Sequence, residues 1–167
     1  MLGVASPHHR VSADIETDCR TALTEQLQRQ SASLVLALRT IIDAEQPQGT
    51  YLFWFAYDSP NFADTFPVMF CRMNRSGRAE EVRKLLPELP FAIAPEVIYD
   101  SRYEQADLDT WALASEVFIP WFADCWESAG GHHSRWPGYL AHHDSIYSFD
   151  LTTRRELRPP EPQYPNA

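Results

Sequence analysis

The residues of this chain best suited to chemistry are its histidines, which come as three adjacent pairs, His8-His9, His132-His133 and His142-His143. A neutral imidazole binds metal ions and carries protons. With Asp144 as carboxylate and Cys125 as thiolate, one histidine from each of the last two pairs would make three or four ligands. Neighbouring residues on extended backbone point to opposite sides, so at most one histidine of a pair can serve a given site. The spacing matches no compact metal signature, and histidines beside Gly131, Ser134 and Asp144 are what solvent-exposed turns carry. The turn reading outweighs the metal reading, and no cofactor is expected. A metal-dependent hydrolase built on the His132/His133 and His142/His143 loops with Asp144 is the alternative function.

Nucleophilic catalysis would need Ser145 or Cys71 near His143 and an aspartate. Neither sits in a G-x-S-x-G elbow or another local frame, and a cysteine on an apolar strand is more often a small buried hydrophobe. The six glycines are scattered and form no phosphate cradle before a helix. Arg72, Arg75, Arg78, Arg83 and Lys84 cluster locally, but Glu80 and Glu81 lie among them, which describes a solvated turn and helix better than an anion site.

Charge says more. Between Tyr103 and Ser134 there is no Lys or Arg, while Glu104, Asp107, Asp109, Glu116, Asp124 and Glu127 are all acidic. Most such faces are merely solvated. Like charges without i,i+4 partners nevertheless cost a helix a few tenths of a kcal/mol each, and a surface that keeps that cost suits the steering of a basic partner. The candidate partner-binding residues are therefore Asp109, Glu116, Asp124 and Glu127, joined by His142, His143 and Asp144 on a neighbouring hairpin turn. No catalytic residue is assigned.

The elements that must position these groups follow from periodicity. Over residues 107–131, Leu108, Trp111, Ser115, Phe118, Phe122, Cys125, Trp126 and Ala129 share one helical stripe, and the acids fall opposite. Asp107 is the expected N-cap and Gly130-Gly131 the stop, with Pro120 expected to kink or break the helix. An N-terminal helix is expected over residues 13–45, ended by Pro47 and Gly49. Residues 51–57 (YLFWFAY) form a strand apolar on both faces, hence central, with residues 66–73 as its antiparallel partner. A short helix is expected over 78–86, strand segments over 91–94 and 96–99, and a hairpin over 136–141 and 146–151. This order predicts an α+β fold, a mainly antiparallel sheet packed against an N-terminal helix and a long central helix. Residues 1–12 are expected to be a flexible arm, 13–158 a single domain and 159–167 a proline-rich flexible tail.

A formal charge of −9 repels phosphate backbones and anionic lipid, so neither nucleic acid nor a membrane is expected as a partner. Cys19, Cys71 and Cys125 are odd in number and lack a C-x-x-C pair, which argues against a disulfide framework and for a reducing cytoplasm. The first residues are too weakly apolar for a signal peptide, and no run of about 18 apolar residues exists.

The segment WPGYLAHHDSIYSFDLTTRREL, residues 136–157, resembles the closing strands of SUKH-superfamily immunity proteins: an aromatic-proline strand, Trp136-Pro137, then a short polar turn over 142–145, and an aliphatic-aromatic strand ending in Asp150-Leu151. The resemblance implies a cytoplasmic protein that binds and neutralises a toxin, often a basic nuclease, without catalytic residues of its own. Composition and resemblance together predict a non-enzymatic protein-binding module.

Overall fold

A strand with two apolar faces has to be covered on both, and Thr50–Tyr57 (β1) sits accordingly inside the sheet of the computed structural model, which describes residues 7–57, 68–74, 79–81, 99–142 and 144–157. The other strands are Val68–Asn74 (β2), Ala79–Glu81 (β3), Gly138–His142 (β4), Ser148–Asp150 (β5) and Arg155–Leu157 (β6). They lie in the order β3-β2-β1-β4-β5-β6. Every neighbouring pair is antiparallel except β1 and β4, which run parallel with Tyr57 beside His142. A parallel pair needs a crossover rather than a hairpin. Among the described residues, the chain between them supplies two helices, Ser101–Gln105 (α2) and Thr110–Ser128 (α3).

Phe53, Phe55 and Tyr57 turn toward the helices. Phe55 meets Phe122 at 5.2 Å between ring centroids and Trp126 at 5.8 Å, and Tyr57 meets Phe118 at 5.1 Å. The expected packing of Phe118, Phe122 and Trp126 on β1 is thus present, while Trp111 is only partly buried at the edge of the same core. On the other face Leu52, Met73 and Tyr139 form a second buried cluster.

The N-terminal helix, Pro7–Asp43 (α1), runs alongside α3 in the same direction, since contacts rise in step along both: Arg20 with Glu116, Ser31 with Trp121, Arg39 with the Ser128 carbonyl. Held between β1 and α1, α3 is buried over a wider arc than a single amphipathic stripe. Leu113, Ala114, Trp121 and Ala123 join the residues named from the sequence. The Trp121 indole N–H donates to Ser31 Oγ at 2.8 Å, so this buried ring keeps its polar atom paired.

Several expectations are corrected. The N-cap of α3 is Asp109, not Asp107: the Asp109 carboxylate accepts from the Ala112 N–H at 2.9 Å, whereas Asp107 has φ +53° in the turn before it. Pro120 does not divide the helix; Thr110–Ser128 is continuous around it. Gly130 does take the left-handed conformation past the helix end, at φ +92°. Residues 79–81, expected to be helical, pair with β2 instead, because a strand edge offers hydrogen bonds that outweigh a short local helical pattern. Tyr99, expected in a strand, lies in a bend, and α2 follows it, capped by the Asp100 carboxylate, which accepts from the Arg102 N–H. The first helix begins at Pro7, within the expected arm, as a proline can at a first helical position. The expected elements over 82–98, the start of the arm and the tail over 159–167 lie outside the described residues. No helix among the described residues is long and apolar enough to cross a membrane.

Candidate functional site

The acids of α3 share its outer side, and distant arginines interleave them. Glu116 Oε2 meets Arg20 Nη2 at 2.6 Å, and Arg20 also reaches Glu16, one turn earlier on α1, at 3.0 Å. Asp124 and Glu127 share Arg154, each at 2.7 Å. Arg154 is aimed by its own turn: the Asp150 side chain accepts from the Thr152 and Thr153 N–H groups at 2.8 and 2.9 Å, and Arg154 stands at φ +56°. Hydrogen bonds to the paired carboxylates hold both guanidinium pKa values above their usual range. Among the described residues each cluster sets two carboxylates against one guanidinium, so the side stays net negative there, though by less than the acids alone suggest. Asp109 is committed to its cap.

Beside this stripe lies a groove of about 460 Å³ at the C-terminal ends of the parallel strands β1 and β4. Glu116, Ile119 and Pro120 of α3 form one wall, and Leu140, His142, Phe149 and Glu156 of the sheet form the floor and far side. Tyr57 and His142 meet edge to face at 5.4 Å. Burial pushes the Tyr57 hydroxyl up, partly offset by its hydrogen bond with Ser115.

The turn that closes the groove is held by its own hydrogen bonds. The Ser145 N–H donates to the His142 carbonyl at 2.9 Å, the Asp144 N–H to His142 Nδ1 at 3.3 Å, and the Tyr147 N–H to Ser145 Oγ at 2.9 Å. This arrangement presents Ile146 at 63% and Tyr147 at 42% exposure. Large apolar side chains held on an ordered turn beside a cleft are the kind of anchor that protein interfaces use.

The histidines of the last two pairs divide between two places, while His8 and His9 fall on α1. His132 and His133 are exposed, with ring centroids 3.9 Å apart and planes tilted at 46°, in a 3-10 turn, Gly131–His133, before β4, while His142 stands at the far end of that strand. The four strand steps between these ends span roughly 13 Å. Cys125, the candidate thiolate, is buried in the core, and burial pushes its thiol up to about 11, away from the ligating form. Among the described residues no group of three or more His, Cys, Asp or Glu side chains could hold a metal ion. His143 lies outside the described residues. Of the candidate nucleophiles, Cys71 is buried in β2, and Ser145 Oγ accepts from a backbone N–H.

Of the partner-binding candidates, then, Glu116 and His142 come together at the groove, Asp144 sits exposed on its turn, and Asp124 and Glu127 lie farther along the same helix side. Arg20, Arg154, Tyr57 and Glu156 were not legible as members of this region. Nothing local in the sequence links Arg20 to a carboxylate 96 positions away. Comparison of the chain with family models, with curated proteins and with solved structures finds no match.

Proposed function

We propose that this protein is a non-enzymatic binding module of the immunity type, which docks a basic protein through the outer side of α3 and the adjoining turn over residues 142–147. The observation that carries this reading is a helix side rich in carboxylates next to a turn that exposes Ile146 and Tyr147, with Glu116 and Tyr147 lining one groove: charge for steering beside apolar anchors for affinity. The likeness of residues 136–157 to the closing strands of SUKH immunity proteins points the same way and suggests a basic toxin as partner. Three free cysteines suit a reducing compartment such as the cytoplasm.

The test begins with affinity capture from the native cell and continues with association kinetics on the captured partner. Glu116→Lys with Glu127→Lys is the informative pair, because Glu16 and Asp124 remain to hold Arg20 and Arg154. Association should slow tenfold or more at low salt, and the wild-type rate should fall as ionic strength rises. A rate indifferent to both salt and charge reversal would remove α3 from the interface.

A further inference from the structure

We propose that the groove between α3 and the ends of β1 and β4 receives a single arginine side chain of the partner. This rests on the docking reading and deepens it by naming the group bound.

Three features of the groove fit that side chain. Its walls are apolar along most of their length, through Ile119, Leu140 and Phe149, which suits an aliphatic stem that must be buried on the way to its charged head. Its rim carries two carboxylates from different elements, Glu116 and Glu156, and the residues that line it include no Lys or Arg, His142 being the one imidazole among them. Arg20 binds Oε2 of Glu116, and a carboxylate has acceptor capacity on both oxygens, so Oε1 can accept a second cation.

The third feature is a main-chain acceptor. Pro120 lines the groove and has no N–H, so it cannot return the helical hydrogen bond that the Glu116 carbonyl would receive from a residue four positions on. Glu116 and Pro120 lie one turn apart and both line the groove, and a helical carbonyl points toward the residue four positions on, so this carbonyl lies between them along the wall. A proline inside a helix is costly, and here it opens an acceptor where the cation would arrive. A guanidinium, planar and with five N–H donors, can reach a carboxylate and a carbonyl together and lie against the exposed Tyr147 ring; an ammonium does this less well. The volume of about 460 Å³ falls in the range of roughly 300–1,000 Å³ typical of ligand clefts.

The probe is Nα-acetyl-L-arginine N-methylamide, titrated into the full-length 15N-labelled protein, with the citrulline counterpart as an uncharged control of the same shape. The expected result is a set of amide shifts centred on Tyr57, His142, Tyr147 and Phe149, saturating in the millimolar range. Citrulline should bind at least tenfold more weakly. Glu116→Gln with Glu156→Gln should weaken the arginine probe at least fivefold while leaving the rest of the spectrum in place, which shows that the variant is folded. Equal binding of the two probes, or shifts confined to other surfaces, overturns the proposal. If the arginine probe binds as described but no basic protein is ever captured, the groove stands and the docking reading falls. If a partner binds the double variant as tightly as wild type and the probe does not bind, the groove assignment alone falls.

Discussion

Ser148 is an uncomfortable residue. Its side chain is 2% exposed, and Oγ has no hydrogen-bond partner among the described residues. It pairs with Leu157, which packs with Tyr139 on the sheet face away from the helices, so its hydroxyl belongs to that face even though its backbone borders the groove. A buried hydroxyl without a partner loses its hydration and gains nothing in return, a penalty of about 1–3 kcal/mol. Ser148→Ala should therefore be neutral or stabilising by up to about 1 kcal/mol, read as a rise in urea midpoint at unchanged m-value. A loss of 1 kcal/mol or more would mean that the hydroxyl is satisfied in solution. Trp126 shows the opposite case. Gly131 and Gly138 both lie against its indole so closely that an added Cβ at either would land on the ring, which explains two glycines flanking the start of β4.

Between elements, the tie that matters is Arg154, which fastens the β5–β6 turn to α3 by two exposed ion pairs. Exposed pairs are each worth about 0–1 kcal/mol, so its value is more in placing Glu156 and the far side of the groove than in stability. The backbone separates the two contributions, since φ at Arg154 is +56° and only glycine adopts that conformation without strain. Arg154→Ala removes the ion pairs and keeps the strain, whereas Arg154→Gly removes both. The left-handed conformation costs alanine roughly 1–2 kcal/mol and glycine's greater unfolded-state freedom offsets about 0.5–1 of that, so the glycine variant should be the more stable of the two by about 0.5–1 kcal/mol, and both should lose order in the β5–β6 turn by hydrogen exchange. An alanine variant as stable as the glycine one would show that the left-handed conformation is not retained.

For the molecule as a whole, Cys19 on α1, Cys71 on β2 and Cys125 on α3 sample three parts of one fold, and all three are buried. Burial pushes the Cys19 thiol up and the Cys125 thiol up to about 11. A thiolate is the reactive form, so the native protein should resist iodoacetamide at neutral pH, and the cysteines should become reactive together as the fold opens. A cysteine that reacts well ahead of the others would show a separately opening part. The same shifts carry a sign. A thiol whose folded pKa lies above its ordinary value of about 9 stabilises the fold while it is protonated, and that contribution is lost as pH rises from about 9 toward 11. Stability should therefore decline on the alkaline side, and the Cys125→Ala variant should decline less.

Periodicity and turn chemistry alone specified the α+β class, the two-faced strand over 51–57, its antiparallel partner, the long helix with Phe118, Phe122 and Trp126 inward, and the hairpin after it. Those are consequences of side-chain spacing, which is local. The N-cap moved from Asp107 to Asp109 because capping depends on backbone angles that neighbouring aspartates do not announce. The strand at 79–81 formed because β2 offered it an edge, and α3 was buried on both sides because α1 lay along it. The charge on the candidate face was likewise a tertiary matter. The acidic stripe was plain in the sequence, but Arg20 and Arg154 reach it across 96 and 27 positions, and the groove exists only where Pro120, His142 and Glu156 are brought to one end of the sheet. Local hydrophobic pattern determines which faces are buried; which charges and carbonyls then meet depends on the packing of elements whose order in space no local pattern encodes.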